Sequence, residues 1–247
     1  MDSLTQLQTE MRACRLCYEA GHAIVPGAVF RGSAGAEVML IGQAPGVTEV
    51  EAKRPFNAGS GTRLFQWLGE AGWDEGEFRG RQYMTAVTKC YPGKDTKSGK
   101  GDRVPSPAEQ ALCRPFLERE IALVKPKVMI LVGGLAIKLL FPAKMKLNEV
   151  VGTAVYFPPE TLANPVNFNF DEALPVSVIG ERLSVIGERL TDDGLPFTYH
   201  GLPTTGRLVV PLPHPSGASL WPNKPANKLL IAKAIQILHT VRSAWNL

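Results

Sequence analysis

In Val38-Met39-Leu40-Ile41-Gly42-Gln43-Ala44-Pro45-Gly46 an apolar run meets a glycine-bounded turn. The run reads as a buried strand, and it passes without a break into a tight turn with little side chain. Such a turn lets a ligand approach the backbone. The same strand signal recurs in Tyr83-Met84-Thr85-Ala86-Val87, in Val128-Met129-Ile130-Leu131-Val132 and in Leu208-Val209-Val210. Helical spacing lies between these runs. Leu4, Leu7 and Met11 share one face before the first strand, and residues 23–35 read as an extended loop. Leu64, Phe65 and Leu68 follow Gly61, with Gly72 near the helix end. Ser106-Pro107-Ala108-Glu109 supplies an N-cap, a proline at the first helical position and a capping glutamate, ahead of Cys113, Phe116, Leu117 and Ile121. Gly133-Gly134 turns the third strand into a helix reaching about Leu140. A last helix, Pro225 to Val241, is expected to turn Leu229, Ala232, Ile235, Ile237 and Leu238 inward.

Strands alternating with helices predict an α/β fold: a single domain over 1–247 with a central four-stranded, mostly parallel sheet and helices on both faces. The strand ends at Gly42, Thr88, Gly133 and Leu212 would share one edge, where ligands of such sheets collect. Residues 142–206 carry weak signals and read as an insertion able to cover or reshape a site at that edge. Inside it, Ser177 to Leu183 is repeated at once as Ser184 to Leu190. Two copies of seven residues are too few for a repeat architecture, so the tandem is read as a local duplication extending one amphipathic helix.

Leu212-Pro213-His214-Pro215-Ser216-Gly217-Ala218-Ser219-Leu220-Trp221 follows the fourth strand. A histidine between two prolines has little backbone freedom, so its imidazole is held at the sheet edge. The Ser216-Gly217 pair beside it can bring backbone N–H groups to a phosphate.

The 247 residues are 45% apolar and 20% charged, with a net charge of +4. This describes a globular chain and permits a nucleic-acid partner without identifying one. No run of about 18 apolar residues could span a membrane, and no signal-peptide pattern opens the chain. A cytoplasmic protein is expected, without a membrane partner and monomeric. Without an export signal, the four cysteines argue against a disulfide framework. Cys14 and Cys17 form a C-x-x-C pair, with Cys90 and Cys113 far downstream. Four thiolates complete one tetrahedral zinc site or hold one four-iron, four-sulfur cluster, and spacing alone does not choose between them.

With both loops placed, the chain resembles the uracil-DNA glycosylase superfamily, closest to its iron–sulfur branch, family 4. The resemblance covers about residues 10–141 and 207–240. It rests on Gly42-Gln43-Ala44-Pro45-Gly46, then Arg54-Pro55-Phe56 and Gly61; on His214-Pro215-Ser216; and on Cys14, Cys17, Lys89-Cys90 and Cys113 with Pro107-Ala108-Glu109 ahead of the last. It implies an α/β/α sandwich and a repair enzyme that flips a deaminated base, uracil first, out of single- or double-stranded DNA and hydrolyses its N-glycosidic bond. It also implies a 4Fe-4S cluster on Cys14, Cys17, Cys90 and Cys113, serving as a staple without redox work.

In that scheme Phe56 stacks on the base, or is an ordinary core phenylalanine. His214, if neutral, donates a hydrogen bond to the base oxygen as charge grows there, with backbone N–H groups of Gln43 and Ala44. Gln43 or Glu49 positions water, and Glu49 also stabilises the cationic sugar, or is a solvated loop carboxylate. Ser216 and Gly217 hold flanking phosphates. Leu220 or Trp221 wedges into the gap left by the base. Lys94, Lys97, Lys100 and Arg103 lie on a loop offered to phosphate. Three departures stand out: Gln43 replaces the family's usual Glu, Ala86 stands where an Asn reads the uracil edge, and the insertion is long. Losing that amide leaves base choice open among uracil, hypoxanthine and xanthine. A non-catalytic or covalent-capture iron–sulfur DNA-binding protein is the other class.

Overall fold

The computed structural model describes residues 3–57, 59–95, 101–179, 182–190, 196–200, 202–216 and 220–247. The four expected strands are present as β1 (Val38–Gly42), β2 (Tyr83–Ala86), β3 (Val128–Val132) and β8 (Arg207–Leu212). They pair in parallel in the order β2-β1-β3-β8. Every residue of these strands is buried, which is why they read as unbroken apolar runs.

The sheet does not stop at four strands. It continues through β4 (Ala154–Phe157), β5 (Leu174–Ile179), β6 (Arg182–Leu190) and β7 (Pro196–His200) to eight, all four added antiparallel. The insertion therefore extends the sheet at the β8 edge. The tandem is a hairpin and not a helix: Ser177 pairs with Ser184, the first residue of each copy, and Val176 with Val185. Branched Val and Ile suit a pleated surface; the first copy ends β5 and opens β6, and the second completes β6.

Helices cover both faces. α1 (Leu4–Ala13), α2 (Leu16–Glu19), α6 (Pro107–Val124) and α7 (Gly134–Ile137) lie on one side. There Leu7, Met11, Leu117, Ile121 and Ile137 join Met39, Ile41 and Met129 in one core. α4 (Gly59–Glu70), α5 (Glu75–Arg81) and α9 (Pro225–Trp245) lie on the other, where Leu64, Leu68, Phe78, Ile235 and Leu238 pack on Leu40, Ile130 and Val210. Short α3 (Val47–Ala52) follows the first turn, and α8 (Leu147–Val150) leads into β4. The α6 capping box forms as expected: Glu109 Oε2 accepts from the Ser106 N–H at 2.6 Å and Ser106 Oγ from the Glu109 N–H at 3.3 Å. On α9 the inward stripe runs through Ile231, Ala234, Ile235, Leu238, Val241 and Trp245, so Leu229 and Ala232 face solvent against expectation. Leu229 lies two residues, roughly 200°, off that stripe.

Candidate active site

The β1 turn, the end of β2, the end of β3 and the His214 loop line one pocket that opens to solvent. Gln43, Ala44, Glu49, Phe56, Ala86 and His214 all line it, so six of the predicted site residues meet in one place. No lining residue comes from 142–206 among the described residues.

Two hydrogen bonds pin the turn to the segment after β2: the Val87 N–H donates to the Gly42 carbonyl at 2.9 Å and the Thr88 N–H to that of Gln43 at 3.3 Å. The pins use carbonyls. Among the described residues no hydrogen bond takes the N–H groups of Gln43 and Ala44.

Phe56 sits at φ +51° in the left-handed region, a conformation that costs a non-glycine residue about 1–2 kcal/mol. Three contacts hold it there. Arg79 donates from Nη1 to the Pro55 carbonyl at 2.8 Å and from Nη2 to the Phe56 carbonyl at 2.7 Å. Glu49 Oε1 accepts from the Phe56 N–H. Gly61 provides room, since a Cβ there would stand 1.9 Å from the Phe56 carbonyl oxygen. The Phe56 ring is half-buried against the core and approaches Gly42, where a Cβ would meet its Cζ at 2.9 Å. It is both a core neighbour and a pocket wall.

Glu49 uses its second oxygen as well: Oε2 accepts from the Gly46 N–H at 2.6 Å. Both carboxylate oxygens thus bind backbone and tie the turn to the Phe56 loop. Burial raises the Glu49 pKa above the ordinary carboxylate value, the two N–H donors oppose the rise, and the Asp102 charge adds to it.

His214 Nδ1 accepts from the Ser216 N–H at 3.2 Å, which places the proton of the neutral ring on Nε2. Burial lowers its pKa, against a small upward pull from Asp102, so the ring is held neutral. Gly133, at φ +88°, makes space beside it, because a Cβ there would stand 3.1 Å from His214 Cδ2. Ser216 therefore orients the imidazole. Gly217 lies outside the described residues. Leu220 is 75% exposed, whereas Trp221 packs against the core and its carbonyl accepts from Asn227.

Of the basic loop, Lys97 and Lys100 lie outside the described residues and Lys94 is exposed. Arg103 is not available to phosphate as expected: Nη1 and Nη2 donate to Glu109 at 2.7 and 2.5 Å, and Nη2 also reaches the Ala23 carbonyl at 3.4 Å. That guanidinium pulls the Glu109 carboxyl down to about 2.

A second, smaller and partly open cavity is lined by Cys14, Cys17, Cys90 and Cys113 together with Thr88 and Lys89. Among the described residues no group of three or more His, Cys, Asp or Glu side chains is drawn into metal-ligand geometry. Burial, with the charges of the other three cysteines, pushes the Cys17 thiol up to about 11. Burial pushes Cys113 to about 11 as well, against the Lys89 charge. The Thr88 hydroxyl is buried and has no hydrogen-bond partner among the described residues.

Sequence reading missed the group between the cavities. Lys89 Nζ contacts Glu120 Oε2 at 2.6 Å, and Glu120 also accepts from Tyr83 and Thr85 at 3.0 Å each. It also missed Arg79, which as an i,i+4 partner of Glu75 reads as a surface residue.

Residues 30–239 match the family model described as the uracil DNA glycosylase superfamily. The chain belongs to that superfamily. Within it, the chain is 29% identical over 185 residues to a type-4 uracil-DNA glycosylase of Sulfurisphaera tokodaii, covering 67% of this chain and 78% of that one. It is 30% identical over 154 residues to the type-4 enzyme of Saccharolobus solfataricus, covering 62% and 65%. A third, from Pyrobaculum aerophilum, is 32% identical over 115 residues, covering 47% and 53%. For the last two, the chain spans less than two thirds of the relative. Among the described residues no helix is long and apolar enough to cross a membrane.

Proposed function

We propose that this chain is a DNA glycosylase that flips a deaminated base, uracil first, into the pocket and hydrolyses its N-glycosidic bond, leaving an abasic site. The observation that carries the reading is the His214 tautomer. With Nδ1 accepting from Ser216, the neutral ring offers its Nε2–H as a donor in the same pocket as Phe56 and the N–H groups of Gln43 and Ala44. A flipped uracil stacks on Phe56 and directs a carbonyl oxygen at these donors. As the bond to the sugar lengthens, negative charge grows on that oxygen, and preorganised donors in a water-poor pocket stabilise it. The type-4 names of the relatives support the same chemistry. Gln43 positions the attacking water. Glu49 acts chiefly through the backbone it ties. Ser216 and Gly217 contact the flanking phosphates, and exposed Leu220, rather than packed Trp221, enters the gap left by the base.

A second base is favoured by one observation: Ala86 lines the pocket with a methyl group, and its carbonyl is taken by Lys89 Nζ at 2.6 Å. No side-chain amide there reads uracil, so hypoxanthine and xanthine are alternative substrates.

The cysteine cavity is read as the seat of a 4Fe-4S cluster. Four cysteines line it, each thiolate disfavours ionisation of the others unless a cation is bound, and the Thr88 hydroxyl lacks the sulfur partner such a cluster brings. Cys14, Cys17, Cys90 and Cys113 would hold it. When bound it supplies cross-linking of the N-terminal helices to β2 and α6 and no electron transfer. The chain is read as one monomeric, cytoplasmic domain with an insertion at 142–206.

The test is a base panel. Labelled oligonucleotides carrying uracil, hypoxanthine or xanthine, single-stranded and paired, are incubated with enzyme and scored by alkaline strand cleavage. Release of uracil supports the leading reading, and release of a purine alone supports the second. Release from none refutes the glycosylase. A heat-stable adduct lost in His214→Ala would instead mark covalent capture.

A further inference from the structure

The pocket turn itself carries no charged side chain: Gln43 and Ala44 are neutral. The Glu49 carboxylate lines the pocket, but both its oxygens are engaged by backbone N–H groups. Yet cleavage of an N-glycosidic bond leaves the sugar positive, and carboxylates are the groups that stabilise such cations.

One further carboxylate reaches this place. Asp102 sits on the loop between Cys90 and Cys113 and pairs with Lys94 in an isolated antiparallel bridge. Tyr91 donates its hydroxyl to Asp102 Oδ1 at 2.9 Å. That fixes the carboxylate with Oδ2 toward the turn, 3.3 Å from where a Cβ on Gly46 would stand. The next residue, Arg103, anchors the loop through Glu109 and through its N–H to the Gly93 carbonyl at 3.0 Å. The Asp102 charge is felt by both Glu49 and His214, two side chains that line the pocket. Asp102 is exposed and lies beside the Gly46 end of the turn, outside the residues that line the pocket.

We propose that Asp102 is a further catalytic carboxylate, whose Oδ2 faces the sugar of the flipped nucleotide and stabilises its positive charge. This rests on the glycosylase reading. The bond from the sugar carbon to the base nitrogen breaks with its electron pair leaving on the base. A water oxygen bonds to the sugar carbon, and the proton it sheds ends on the base anion. Asp102 stays ionised throughout and contributes as a fixed charge.

Asp102→Asn keeps an acceptor for Tyr91 and removes only the charge. The first arm measures binding of a duplex with a cationic pyrrolidine in place of the target sugar, against one with uncharged tetrahydrofuran. The wild type should bind pyrrolidine tighter than Asp102→Asn by on the order of tenfold, with tetrahydrofuran affinity alike in both. Equal pyrrolidine affinities overturn the proposal, whether or not the wild type releases any base. The second arm measures single-turnover release at saturating substrate. Asp102→Asn should lose on the order of 10²-fold with affinity for uracil-DNA retained, and Asp102→Glu should recover part of the rate. Full activity in Asp102→Asn overturns the proposal, while an inactive wild type overturns the glycosylase reading instead.

Discussion

Lys89 ties the two cavities together at Ala86: its Nζ lies 2.6 Å from the Ala86 carbonyl oxygen in the base pocket, while its backbone N–H donates to Cys113 Sγ at 3.3 Å in the other. A residue of the cysteine cavity thus holds a residue of the base pocket, and its ammonium is balanced by fully buried Glu120.

Glu120→Ala should therefore be strongly destabilising, because it leaves a buried ammonium and the Tyr83 and Thr85 hydroxyls without their acceptor. The expected loss is about 3–5 kcal/mol, read from urea unfolding. A double variant, Lys89→Met with Glu120→Leu, should recover most of it. A loss under about 1 kcal/mol in the single variant would show that the pair is not held as described.

Arg79 holds Phe56 in its left-handed conformation by donating from its two terminal nitrogens to consecutive carbonyls. Arg79→Lys keeps the charge and loses the fork. Substrate affinity should fall by about tenfold, equivalent to ~1.4 kcal/mol of lost preorganisation. Binding of undamaged DNA should be unchanged. Unaltered uracil-DNA affinity would show that the loop holds itself.

The His214 ring should titrate below 6.5 in the folded protein, because burial disfavours its charged form. A histidine depressed in the folded state contributes stability that is lost as pH falls below its unfolded value. NMR titration of the ring nitrogens, assigned with His214→Gln, reads this directly. A value above 6.5 would contradict the neutral donor.

The cluster assignment is checked by analysis of iron and acid-labile sulfide, expected at about four of each per chain. Cys113→Ala should lose both. Thr88→Val should retain both and lower the reduction potential, since a hydrogen bond to a cluster sulfur favours the reduced form. An unchanged potential would leave the Thr88 hydroxyl without a role at the cluster.

The parts legible in the sequence are those written in uninterrupted apolar runs and backbone-restricting residues. Val38–Ile41 and Val128–Val132 are buried on both faces, and Pro213 and Pro215 fix His214, so the sheet and its active edge could be read directly. The added strands could not. Val176 and Leu183 are buried, but the first stands just before, and the second inside, a tandem whose spacing also suits a helix. Arg79 and Asp102 were invisible for a different reason. Nothing in Glu75-x-x-x-Arg79 says that the guanidinium turns inward, and Asp102 lies in a loop whose lysines dominate its composition. Both matter through long-range contacts, which periodicity does not record.

The most direct test of the central claim is single-turnover release of uracil by the wild type and by His214→Ala, with iron content matched between them. Loss of the Nε2–H donor should slow release by about 10²–10³-fold while DNA binding persists. Equal rates in the two proteins would contradict the account, because the donor on which the site is built would then do nothing.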